Sequence, residues 1–238
     1  MNDKGRLYLI PSPLGENEPS EVLPAKVLEL LPQIRVFVVE ELRTARRFLS
    51  RAGLRGHIDE LEFHVLNEHS SDAKVEAMAS LFDDGRDVGL ISEAGLPAVA
   101  DPGALLVGLC HRIGVEVVPL VGPSSLMLAL MASGLNGQSF AFCGYLPAKR
   151  DERHSAIKAV EKRSSELSQT QIIIETPYRN DSFLTDLIHS CRPDTRICVA
   201  ADLTLPTQFV RTLSASAWLK QQGFSIGKRP CVFLILAR

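Results

Sequence analysis

Short apolar runs alternate with helix-length segments along the first half of the chain. This alternation restricts the fold more than any other feature. Residues 7–10 (LYLI), 35–39 (RVFVV), 88–91 (VGLI) and 115–120 (VEVVPL) are too short for helices and nearly continuous in apolar side chains. Such runs suit strands buried on both faces, and strands of this kind separated by helices build parallel sheets. The segments between them have helical signals. Pro24 opens one, with Val27, Leu28 and Leu31 at helical spacing, and residues 42–52 form a second, stopped by Gly53. A weaker strand is expected at 62–66 and a helix at 74–82. Asp101-Pro102 reads as an N-cap followed by the first helical residue, with Gly114 closing that helix.

The second half has a different rhythm. VGPSS (121–125) leads into an apolar helix at 126–132 whose Met127 and Met131 read as core residues, and a long charged helix spans 151–167. Strands are expected at 140–145, 172–174, 197–200, 209–213 and 231–236, spaced closely enough near the C-terminus to imply a mixed, partly antiparallel sheet. The predicted class is therefore α/β in two domains, 1–121 with a mostly parallel sheet and 122–238 with a mixed one.

Composition removes several classes of function. With 45% hydrophobic and 23% charged residues, the 238-residue chain matches an ordinary globular protein. No apolar run reaches the ~20 residues of a membrane-spanning helix, and MNDKGRLYLI does not read as a signal peptide. The five cysteines are scattered without a CxxC pair, which fits a reducing cytoplasm and no membrane. His64, His69 and Asp72 lack the spacing of a helical histidine pair, so no metal is expected. A net charge of −2 leaves nucleic-acid binding to a local patch. Arg43, Arg47 and Arg51 share a helix face, with Arg46 beside them, and form a candidate stripe for RNA phosphates that Lys149, Arg150 and Arg153 would extend; a solvated face with internal acid partners is the alternative.

The common nucleotide motifs are missing. The place for a G-x-G-x-x-G reads PSPLGENE, and neither a P-loop nor a G-x-S-x-G elbow occurs. Instead, loops after the strands are rich in proline, glycine and acids: IPSPLG (10–15), EELR (40–43), SEAGLPAVADPG (92–103), VGPSS (121–125) and IETPYR (174–179). They offer backbone groups at fixed angles, and the 92–103 loop has no lysine or arginine to grip a phosphate. A ligand that is part adenosine, part amino acid and carries a sulfonium charge suits this chemistry.

LYLIPSPLG, EELR, LISEAGLPAVADPG, VVPLVGPSS, FCGYLPAK and IETPYR, in this order, resemble the tetrapyrrole methylase superfamily of S-adenosylmethionine-dependent methyltransferases. Within it they are most similar to the group that 2′-O-methylates a cytidine of small-subunit ribosomal RNA. The resemblance implies S-adenosyl-L-methionine in the cleft between two α/β domains, usually in a homodimer. Pro11, Leu14, Gly95, Leu96, Pro97, Val99, Ser124, Ser125, Thr176 and Pro230 match its cofactor-contacting segments. This chain departs from the group's E-D-T-R, S-D-A-G-T-P, Y-E-S-P-H-R and A-R-E-L-T blocks, altering polar side chains while sparing the glycines and prolines.

A ribose hydroxyl is weakly acidic, so transfer to it benefits from a general base. Glu40 or Glu41 is the candidate, with Arg43 orienting it or holding a phosphate; Glu93 and Glu175 also stand at strand ends. The expected partner is ribosomal RNA or the small ribosomal subunit. Rival readings are methylation of a tetrapyrrole or other small molecule, and a non-catalytic RNA-binding protein that retains the cofactor cleft.

Overall fold

Each apolar run of the first half becomes a strand of one all-parallel sheet. The strands are β1 (Leu7–Leu9), β2 (Val36–Val39), β3 (Glu62–Val65), β4 (Val88–Ile91) and β5 (Val117–Pro119). Their order in the sheet is β3-β2-β4-β1-β5. The computed structural model describes residues 4–238, and the chain divides between Ser124 and Ser125 into two compact units.

In the first unit the helices are α1 (Pro19–Val22), α2 (Ala25–Leu30), α3 (Leu42–Leu49), α4 (Asp72–Ala77) and α5 (Gly103–Ile113). Successive strand residues face opposite sides, so Phe37 and Val39 join one core with Leu31, Phe48 and Leu49, whereas Val36 and Val38 join another with Phe82, Leu106 and Leu109. The first core receives the helices that follow β1 and β2; the second receives those that follow β3 and β4. Strand β4 lies between β1 and β2, and its connection leaves toward the face opposite to both of theirs. Such a reversal opens a crevice at the C-terminal strand ends, the usual ligand position in sheets of this type.

The second unit contains α6 (Ser125–Ser133), β6 (Phe140–Tyr145), α7 (Arg150–Leu167), β7 (Thr170–Ile174), α8 (Asn180–Ser190), β8 (Arg196–Ala201), β9 (Phe209–Ser214), α9 (Ala215–Trp218) and β10 (Cys231–Leu236). The sheet order is β6-β7-β10-β8-β9; β6 and β7 are parallel and the other neighbours antiparallel. The C-terminal strand β10 is central and fully buried. Its Phe233 meets Phe183 of α8 edge-on, with ring centroids 4.9 Å apart.

Four local expectations change. Helix α5 begins at Gly103 rather than Pro102, although the Asp101 carboxylate still accepts from the Gly103 amide at 2.6 Å. Met127 and Met131 are exposed: α6 is apolar all round and buries only the face carrying Leu126, Ala129 and Leu130. Arg153 is buried, its Nε donating to Asp186 Oδ2 at 2.7 Å, so it extends no surface patch. Helix α8, between IETPYR and β8, has no counterpart among the sequence expectations. Among the described residues no helix is long and apolar enough to cross a membrane, and all five cysteines are free thiols.

Candidate active site

The crevice beside β4 is built by backbone. Ser12 and Gly95 form an isolated antiparallel bridge outside the sheet, with Ser12 N donating to Gly95 O at 2.9 Å and Gly95 N to Ser12 O at 3.2 Å. It fastens the loop after β1 to the loop after β4. Gly95 has φ +77°, a conformation that side chains resist, and a Cβ there would sit 3.0 Å from Leu14 Cδ2. At Gly122 the reason for glycine is proximity, since a Cβ would lie 2.2 Å from the Pro11 ring. Further along the β4 loop, Ala98 (φ 64°) and Ala100 (φ 55°) are held in the left-handed region on either side of the exposed Val99. Strain of this kind is stored where the surroundings enforce it. One enforcing group is Asp101, whose Oδ1 accepts from the Ala98 amide at 3.2 Å as well as from Gly103.

Asp101 also faces Glu40. The Glu40 carboxyl, at the C-terminal end of β2, is pushed up to about 7, chiefly by burial and further by the nearby Asp101 and Glu93 carboxylates. The Glu93 amide donates to Glu40 Oε2 at 3.3 Å and offsets part of that rise. Asp101 Oδ2 is buried without an internal partner, and side-chain hydrogen bonding with Asp101 is one of the causes that raise Glu40. The adjacent Glu41 has a different task. Its carboxylate caps α3, accepting from the amides of Arg43 (3.0 Å) and Thr44 (2.6 Å), and these bonds hold it below the usual carboxylate range. The Arg43 guanidinium adds to that lowering. Of the two adjacent acids, Glu40 has the proton affinity of a base at neutral pH.

The expected residues of the second unit gather around the end of β7 and the start of β10. Glu175 is buried, and its Oε1 accepts from Thr176 N (2.6 Å), Thr176 Oγ1 (3.1 Å) and Arg179 (2.7 Å), which fixes the Thr176-Pro177 turn. Asn180 and Asp181, absent from the sequence candidates, hold the 225–229 segment. Asn180 Nδ2 donates to Arg229 O at 2.7 Å, and Asp181 Oδ1 accepts from Ile226 N at 2.7 Å. Pro230 follows directly, its carbonyl accepting from Asp202 N at 3.0 Å. Ser124 and Ser125 stand where α6 begins.

The arginine stripe has internal partners. Arg46 pairs with Asp59, Arg47 reaches Glu16 at 3.8 Å, and Arg51 reaches Glu16 at 3.3 Å and Glu18 at 3.0 Å. Lys149 pairs with Glu152, and Arg150 lies 3.5 Å from Asp186. His64 and His69 pair with Glu62 and Glu68.

Comparison with known proteins decides the family. The model for "Tetrapyrrole (Corrin/Porphyrin) Methylases" matches residues 6–217. The chain belongs to the tetrapyrrole methylase family. This tetrapyrrole methylase is 29% identical over 92% of its length to "Ribosomal RNA small subunit methyltransferase I" of Escherichia coli O157:H7, covering 74% of that protein. It is 31% identical over 88% of its length to the protein of the same name from Pseudomonas aeruginosa, covering 70% of it. For the Vibrio cholerae protein of that name the values are 31%, 83% and 65%, so part of each relative lies outside the match.

Solved structures share the fold. The methyltransferase CobJ superposes with a TM-score of 0.63 at 16% identity, covering 98% of this chain and 94% of its own. The uroporphyrin-III C-methyltransferase of Thermus thermophilus, solved with S-adenyl homocysteine, gives 0.55 at 19%, covering 98% and 97%. The chain is thus a methyltransferase of a family whose methyl donor is S-adenosylmethionine. The donor set of the crevice fits that cofactor: tightly apposed glycine and proline backbone, flanking acids, and no cation in the β4 loop to seek a phosphate.

Proposed function

We propose that the chain methylates the 2′-hydroxyl of a cytidine in small-subunit ribosomal RNA, with Glu40 as general base. The observation that carries this reading is the Glu40 carboxyl, raised to about 7 and backed by Asp101 at the mouth of the β4 crevice. The names of the relatives support the RNA substrate. When bound, S-adenosylmethionine supplies an electrophilic methyl on a sulfonium, whose charge is dissipated as the carbon–sulfur bond breaks. Charge stabilisation is then a smaller task for the protein than alignment and proton removal. Glu40 takes the ribose proton as the new oxygen–carbon bond forms, and Asp101 accepts a hydrogen bond from the resulting neutral acid. Pro11, Leu14, Gly95, Leu96, Pro97 and Val99 are the proposed cofactor contacts of the first unit, with Ser124, Ser125, Thr176 and Pro230 at the chain division and beyond. Arg43 is the proposed partner that orients the base or holds a substrate phosphate.

The direct test incubates the protein and labelled methyl donor with small ribosomal subunits, free ribosomal RNA and tetrapyrrole precursors in parallel. The expected label is in RNA, on a cytidine ribose. Label only in a tetrapyrrole would assign the family's other substrate class, and label in none would remove both. The single-turnover rate on RNA should rise with pH through about 7 and then level, because Glu40 acts as the carboxylate.

A further inference from the structure

A cavity of about 80 Å³ lies between the loop after β1 and helix α3. Ser12, Glu16, Arg47, Arg51 and Glu93 are among its lining residues. Ser12 is only 3% exposed, yet its hydroxyl has no internal hydrogen-bond partner. A buried hydroxyl without a partner costs stability unless something else completes it. Arg51 is rigidly placed, since its Nη2 donates to the carbonyls of Glu16 (3.1 Å) and Asn17 (2.9 Å). Arg47 and Arg51 converge on one anion, the Glu16 carboxylate, at 3.8 and 3.3 Å. The Glu16 side chain is 81% exposed, so it can leave for solvent with little loss.

We propose that this cavity seats a phosphodiester of the RNA strand, with Glu16 holding its place until the strand arrives. This rests on the RNA reading above. Two converging guanidiniums and an uncommitted hydroxyl donor form an anion site. The family's cofactor carries no phosphate, so the substrate supplies the anion. The position is right for a nucleotide whose sugar is at the base. Glu93 lines the cavity, and its amide is bonded to Glu40, so the seat adjoins the proposed proton acceptor. A ribose 2′-hydroxyl and its 3′-phosphate occupy neighbouring carbons. With the phosphate between the arginines, the sugar faces Glu40 and Glu93.

Three variants of the full chain test the seat, with small-subunit ribosomal RNA as the probe and cofactor affinity measured alongside. Arg47→Gln should raise KM for RNA on the order of tenfold, the worth of a charge-assisted bond. It should also reduce the slope of log K against log salt by about 0.7, with kcat and cofactor affinity kept. Glu16→Gln should act in the opposite direction and tighten RNA binding. Ser12→Ala should weaken RNA binding without lowering the melting temperature. If the wild type methylates RNA while Arg47→Gln and Glu16→Gln leave KM and the salt slope unchanged, the seat is overturned and the RNA reading stands. If the wild type neither binds nor methylates RNA, the RNA reading fails and takes the seat with it.

Discussion

Glu40 sits in an environment that trades stability for proton affinity, and the two can be measured separately. Its carboxyl is raised from 4.5 to about 7 on folding, so its contribution is fully present below 4.5 and is lost as pH rises through about 7. Glu40→Gln should therefore lower turnover strongly with cofactor affinity kept, and should raise the thermal midpoint relative to wild type above pH 7 but not near pH 4. Turnover and cofactor affinity falling together would remove the base role. At Gly95, alanine must adopt φ near +77°, at a cost of roughly 1–2 kcal/mol, and should weaken cofactor binding measured by calorimetry. In the sequence Glu40 and Glu41 are two equal acids after a strand. What separates them is non-local: Glu41 meets the first amides of α3, whereas Glu40 meets Asp101, far away in sequence and adjacent only because β2 and β4 pair. Ser12 was hidden for the same reason, because an unpartnered hydroxyl is a property of its surroundings.

Helices α7 and α8 are joined by one buried ion pair. Arg153 donates to Asp186 and, through Nη1, to the carbonyl of Ala148 at 2.9 Å, while His154 lies 3.4 Å from the same carboxylate. Asp186→Ala leaves a guanidinium buried without its counter-ion, a loss of about 3–5 kcal/mol in such pairs. Trp218, the chain's one tryptophan, is buried in the same unit and donates to Ile197 O, so its fluorescence reports the expected fall in denaturation midpoint. An unchanged midpoint would show that the pair adds nothing to the fold. Helix α8 does carry a legible apolar period, with Phe183, Leu184, Leu187 and Ile188 at helical spacing, and the buried Asp186 lies beside that stripe rather than within it. In helix α6 an apolar residue at nearly every position marks no face as the buried one. Strands β4, β6 and β10 were legible to the residue because turn-formers precede them and their runs are nearly all apolar.

At the scale of the molecule, the class of each sheet was legible and the order of its strands was not. Apolar continuity records that a strand is covered on both sides, but nothing in it names the neighbours. The observed order places β1 between β4 and β5, and these are its only partners in the sheet. This has a consequence for the order of events during synthesis. Leu7 leaves the ribosome first among the sheet residues, yet its second partner, Val117, is made about 110 residues later. At ~5–20 residues per second, that gap lasts on the order of 5–20 s. Throughout it the chain's first strand has an open edge, and β2 with β3 is the earliest pair able to form. Stalled nascent chains that end before Val117 should leave the segment around Tyr8 open to protease, and chains extending well past Pro119 should protect it. The strand that comes first in this sheet's sequence is therefore among the last to be locked in place.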